Sequence, residues 1–170
     1  SFSEGLGSVT IGGRAGYIDR TGKVVVPPQF DQAWAFTEGL ALVKLGRKWG
    51  YVDKTGKVVI PPQFDRAWTF SEGLARVALS GKGGYIDRTG KIAINPQFWS
   101  VGDFSEGLAP VILKYSGMWG YIDRTGKIAI QPRFWNAGEF SEELAPAIVK
   151  SGGRWGYIDK TGEAVIQPQF

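Results

Sequence analysis

The sequence predicts an all-β repeat protein, five tandem units that each fold into a small antiparallel meander. Three observations predict it. Marker residues recur at a fixed period along the whole chain. The 170 residues include 25 glycines and 9 prolines, a composition of many tight turns. No ten-residue stretch carries a helical apolar pattern, whereas short β-branched and aromatic runs recur.

The period is read from Gly-Tyr-Ile/Val-Asp-x-Thr-Gly. Its tyrosines are Tyr17, Tyr51, Tyr85, Tyr121 and Tyr157, spaced 34, 34, 36 and 36. Phe30, Phe64, Phe98, Phe134 and Phe170 keep the same steps. A second marker, Phe-Ser/Thr-Glu-Gly/Glu-Leu, begins at Phe2, Phe36, Phe70, Phe104 and Phe140.

One unit, Leu40 to Phe70, shows the elements in order. Strand A is Leu40–Leu45. Its second, fourth and sixth columns across the units are small or apolar and share one face by the period of two. Pro110 and Pro146 fall in this strand, and proline cannot donate to a ladder, so strand A is expected at a sheet edge. Strand B is Trp49–Asp53. Strand C is Lys57–Ile60, β-branched and apolar. The Asp-Lys/Arg-Thr-Gly link between them predicts a type I turn plus bulge, with glycine at the positive-φ position. Phe64–Trp68 is a candidate fourth, outer strand.

These units resemble the bacterial WG repeat, with its motif Trp-Gly-Tyr-Ile-Asp-x-x-Gly-x-x-Val-Ile-x-Pro-x-Phe. Trp49-Gly50, Trp119-Gly120 and Trp155-Gly156 match it, while Ala15-Gly16 and Gly83-Gly84 depart. The resemblance covers essentially the whole chain and implies a repeat module, with little about chemistry.

Two architectures fit a single repeat domain over residues 1–170. One is a small closed five-bladed β-propeller, the other an open β-solenoid of stacked hairpins. An open stack needs distinct capping repeats, and the end units are nearly as regular as the middle ones, so the ring is favoured. The fifth unit would then be completed by residues from both termini, and the protein would be a monomer. The chain opens inside a repeat with no signal peptide and reads as a piece of a longer protein; its compartment is not legible.

Composition narrows the function. Cysteine and histidine are both absent, which removes disulfides, thiolate chemistry, Cys/His zinc sites and histidine-based triads. A Ser–Lys or paired-carboxylate enzyme is the catalytic class left, but no acid pair breaks the repeat pattern. No cofactor or metal is expected, and no apolar run is long enough for a membrane span. Net charge is +4, which allows an anionic partner without demanding one.

Asp19, Asp53, Asp87, Asp123 and Asp159 precede the Thr-Gly loops and are read as turn acids that accept backbone hydrogen bonds. Glu4, Glu38, Glu72, Glu106 and Glu142 are read likewise. Trp49, Trp119 and Trp155 hold one column, and Trp34 and Trp68 another; both suit packing between units. Trp99 and Trp135 break the columns and are expected to be exposed. The A–B loops contain no acid. They supply Arg14, Arg47, Lys48, Lys82, Lys114, Tyr115, Met118 and Arg154, and are expected to form a basic rim of unpaired charge. The expected function is non-enzymatic binding or scaffolding, with a protein partner recognised through that rim and the two tryptophans. A cell-wall or carbohydrate-binding repeat, another anionic ligand, and a purely structural or engineered repeat are the alternatives.

Overall fold

A computed structural model describes residues 2–113, 117–150 and 152–169. All regular structure among them is strand, arranged as five four-stranded antiparallel sheets. The first sheet is β1 (Phe2–Ser3), β2 (Leu6–Ile11), β3 (Arg14–Asp19) and β4 (Val24–Phe30). The second is β5 (Gln32–Thr37), β6 (Leu40–Leu45), β7 (Lys48–Val52) and β8 (Val58–Phe64). The third is β9 (Arg66–Ala67), β10 (Leu74–Leu79), β11 (Lys82–Asp87) and β12 (Ile92–Phe98). The fourth is β13 (Ser100–Val101), β14 (Leu108–Ile112), β15 (Trp119–Asp123) and β16 (Ile128–Phe134). The fifth is β17 (Asn136–Ala137), β18 (Ala145–Ile148), β19 (Gly156–Ile158) and β20 (Ala164–Ile166). Each sheet is thus drawn from one continuous stretch, in the meander order of a propeller blade. The chain groups into two compact units, residues 1–80 with 86–92, and residues 81–85 with 93–170.

The outer strand leads each sheet and pairs with strand A, so strand A is an inner strand rather than the expected edge. The outer strand is one edge and strand C the other, and strand C carries Pro27, Pro28, Pro61, Pro62, Pro96 and Pro132. Proline is tolerated in strand A for a specific reason. The carbonyl of Pro110 accepts the Gly102 N–H at 2.8 Å. In an antiparallel ladder a residue's N–H and C=O face the same neighbour, so the missing Pro110 N–H also faces Gly102. The Gly102 carbonyl is taken instead by the Tyr85 hydroxyl at 2.8 Å. Pro146, Gly138 and Tyr121 repeat this arrangement at 2.9 and 2.8 Å. Tyr17 and Tyr51 donate to the carbonyls of Trp34 and Trp68 in the same way, at 2.7 and 2.6 Å. Each tyrosine hydroxyl therefore ties its own sheet to the outer strand of the next, 17 residues on. Glycine faces proline in this pairing because a Cβ on Gly102 would lie 2.5 Å from the Pro110 ring.

The glycine of the Trp-Gly motif has an equally direct cause. Trp49 pairs with Phe64 and Tyr51 with Ile60, so one residue, Gly50, faces three on β8. A Cβ there would meet the Ile60 carbonyl oxygen at 2.5 Å and the Pro62 nitrogen at 2.7 Å. The departure at Gly83 is compensatory. A Cβ on it would lie 2.8 Å from a Val101 methyl, whereas Ala67 and Ala137 stand at that position beside Trp49 and Trp119.

Within each compact unit, neighbouring sheets bury apolar clusters between them. In the first compact unit Tyr51, Ile60 and Phe64 pack with Phe70, Ala75 and Val77. In the second, Tyr121, Ile130 and Phe134 pack with Phe140, Ala145 and Ala147. The sixth column of strand A is divided: Leu45 and Leu79 pack against the core as expected, whereas Ile11 is 54% and Val149 44% exposed. For Ile11 the reason is local, since the two-residue β1 covers only Leu6 and Gly7.

The repeated glutamates do more than turn the chain. Glu4 accepts the Gly39 N–H and Glu38 the Gly73 N–H, each 35 residues ahead, with N···O distances of 3.0–3.2 Å. All five hold positive φ, between 50° and 53°. Glu143 stands where the other units have glycine, and its φ is 68°. That left-handed conformation costs a side chain about 1 kcal/mol. Glu143→Gly is therefore expected to raise stability by about that amount despite removing the exposed Lys160 ion pair, read as a higher urea midpoint. Gly102→Ala is expected to cost about 1–3 kcal/mol by overpacking. Pro110→Ala should relieve that cost, and a double-mutant cycle in urea would show no coupling if the contact were unimportant.

Candidate functional site

The A–B loops and the turns before the outer strands lie on the same side of each sheet. This brings together residues 17 apart in sequence. Arg14 Nη1 bonds Asp31 at 2.5 Å, and Lys48 Nζ bonds Asp65 at 2.6 Å. The second oxygens of these acids accept backbone N–H groups of the adjoining loop, Gly46 at 2.5 Å and Ser80 at 2.8 Å. Arg14 and Lys48 are thus paired, correcting the expectation of a rim of unpaired charge. The A–B loops themselves contain no acid; the acids arrive from the neighbouring turn.

The position of Asp31 and Asp65 is occupied by Trp99 and Trp135 in the next two repeats. Both are exposed as expected, at 56% and 51%. Lys82, the counterpart of Lys48, sits over the Trp99 ring at 3.3 Å, so a cation–π contact replaces the ion pair. Met118, half-buried, is the counterpart of Lys48 in the fourth sheet. Arg154 is exposed and reaches the Gln169 carbonyl at 3.3 Å. Arg47 is exposed at its loop tip. Lys114 and Tyr115 lie outside the described residues.

The turn aspartates behave as read from the sequence. One oxygen of Asp53 accepts the Thr55 hydroxyl at 2.6 Å, the Thr55 N–H at 2.9 Å and the Lys57 N–H at 3.1 Å. The same set recurs at Asp19, Asp87, Asp123 and Asp159. The threonine hydroxyl, helped by the backbone donors, holds each carboxyl below the usual aspartate range. Burial pushes the Tyr17 and Tyr121 hydroxyls well up, so they remain donors.

The first compact unit carries a concave surface. A groove of about 560 Å³ runs over the face of the second sheet and against β9. Trp34, Trp49 and Trp68 line it, with Leu42, Lys44, Asp65, Arg66 and Thr69 around them. Trp34 and Trp49 meet edge to face with ring centroids 4.8 Å apart, and Trp34 remains 40% exposed. Lys44 stands 5.4 Å from the Trp49 ring centre. From the sequence alone, the regular columns of these three tryptophans suit packing between units. The signal that locates them is the coincidence of two columns. Only around the second sheet do both hold tryptophan; Ala15 and Gly83 interrupt one, Gly102 and Gly138 the other. Beside Ala15 a smaller depression of about 250 Å³ remains. Among the described residues no group of three or more acids is gathered as a metal site.

The repeat geometry agrees with comparison to known proteins. The WG containing repeat matches residues 16–49, 49–82, 84–114, 119–154 and 155–170, and the chain belongs to this family. No curated protein matches it by sequence. Among solved structures it is similar to virginiamycin B lyase from Staphylococcus aureus, at 18% identity and a TM-score of 0.53, over 97% of this chain and 67% of the lyase. A streptogramin B lyase structure is similar at 18% identity and a TM-score of 0.52, covering 96% and 65%. Kluyveromyces lactis Hsv2p is similar at 10% identity and a TM-score of 0.58, covering 97% and 61%. The chain thus spans about two thirds or less of these proteins, and at such identities the likeness is one of fold.

The turn acids give a pH prediction. Their folded pKa values lie below the unfolded one, so the stabilisation is present above about pH 4, the ordinary aspartate value, and is lost as pH falls through the folded pKa. Asp53→Asn is expected to lower the urea midpoint at neutral pH and to flatten its decline between about pH 5 and 2. An unchanged pH profile would show the hydrogen bonds to be energetically neutral.

Proposed function

We propose that the chain is a non-enzymatic binding module that recognises a protein partner through the loop-side faces of its sheets. The observation that carries this reading is the three-tryptophan groove bordered by Lys44 and Arg66. Half-exposed tryptophans beside cations, set in a concavity, have the composition of interface hot spots. The groove also departs from the repeat pattern, which packing alone does not require. In the second compact unit Trp99 with Lys82, and Trp135, offer surfaces of related composition.

The rim reading is thereby narrowed. Arg14 and Lys48 serve their own acids, and the cations offered to a partner are Lys44, Arg66 and the loop-tip Arg47. Crosslinking capture followed by titration of the purified partner tests the proposal. Trp34→Ala combined with Arg66→Ala is expected to weaken binding by about tenfold or more, with an unchanged fold by circular dichroism. Affinity should also fall with added salt. Equal affinity of variant and parent chain for the purified partner would overturn the proposal.

A further inference from the structure

The bonding capacity of the groove specifies its ligand more closely. The three indole N–H groups of Trp34, Trp49 and Trp68 meet no acceptor among the described residues. Lys44 and Arg66 add cationic donors. The one carboxylate present, Asp65, already accepts Lys48 on one oxygen and the Ser80 N–H on the other. The groove therefore offers donors and the indole surface left beside Lys44 over Trp49 and Arg76 over Trp68, and few acceptors. A neutral sugar or a nucleobase edge needs acceptors for its own hydroxyl or amino protons. A proline-rich segment does not: proline has no N–H, and its carbonyls only accept. Its extended helix is also preformed, so it seats pyrrolidine ridges between aromatic rings at little cost in chain entropy. The two cations at the border call for acidic residues flanking the prolines.

We infer that the Trp34–Trp49–Trp68 groove is a docking site for an extended, proline-rich peptide segment with flanking acidic residues. The inference rests on the reading of the chain as a protein-binding module and names the element of the partner that it takes. The aromatic lining, the excess of donors and the sign of the border charge support it.

The test uses the full chain and synthetic peptides. A short proline-rich peptide with glutamates at both ends is titrated against it, with indole N–H signals followed by heteronuclear NMR. Two control peptides replace the glutamates by lysines and the prolines by glycines. The glutamate peptide is expected to shift the signals of all three indoles, and each control to bind about tenfold more weakly or less. Arg66→Glu is expected to reverse the preference in favour of the lysine peptide, a change that loss of folding would not produce. Trp34→Phe should retain part of the affinity that Trp34→Ala loses. Equal binding of all three peptides would overturn the inference. So would indole shifts with glucuronate oligosaccharide and none with the peptides. If the peptides fail while Trp34→Ala with Arg66→Ala still weakens the captured partner, the module binds a folded surface and only the peptide inference falls. If that pair of substitutions leaves the partner unaffected as well, both fall.

Discussion

Everything in this architecture depends on a tyrosine hydroxyl that leaves its own sheet to bond the next. Tyr17, Tyr51, Tyr85 and Tyr121 each reach the carbonyl of a residue on or directly after the following outer strand, at 2.6–2.8 Å. The ring behind each hydroxyl is buried against a phenylalanine of that following repeat, with centroids 4.8–5.0 Å apart. One side chain thus supplies apolar contact and a directional bond at the same place. A buried hydroxyl without a partner would cost about 1–3 kcal/mol, so the spacing between sheets is held to what the bond permits. Because the hydroxyl satisfies the outer-strand carbonyl, the facing residue of strand A need not donate, and that position is free to vary. It is Leu42, Arg76, Pro110 and Pro146 in successive repeats.

That freedom marks where the sequence could and could not be read. The hairpins were legible because Asp-x-Thr-Gly closes its loop with groups inside five residues. The period was legible because its marker residues recur along the chain, and the all-β class because short β-branched runs lie between the turns. Strand A was misplaced because the rule for proline counts ladder donors within a sheet, and the compensating donor here comes from another sheet. The charge of the rim was misread for a parallel reason. Arg14 and Asp31, or Lys48 and Asp65, lie 17 residues apart and meet only once the outer strand is known to join the next sheet. The groove was hidden by the same half-repeat offset. Its tryptophans hold regular columns, and what sets them apart is their juxtaposition across β5, β7 and the residue after β9.

The two tryptophan columns also show how tightly packing constrains substitution. Where Gly83 replaces tryptophan, Val101 fills the space, and where Trp49 stands, the partner is Ala67. Where Gly102 and Gly138 replace tryptophan in the other column, proline stands opposite. Changes within the scaffold are therefore paired, and a tryptophan kept in both columns at one sheet is a combination that the packing permits but does not compel.

The glutamate bonds, the tyrosine bonds and the Arg14–Asp31 and Lys48–Asp65 pairs run from one sheet to the one that follows. Stability in such an array is close to a sum of repeat and neighbour terms. The groove takes Trp34 and Trp49 from the second sheet and Trp68 from the third, and so needs a particular order of repeat variants. Recombination that duplicates or exchanges a single repeat would preserve the scaffold while erasing the site or writing a new one. Related arrays can thus diverge in what they bind by reshuffling whole repeats, without passing through an unfolded intermediate sequence.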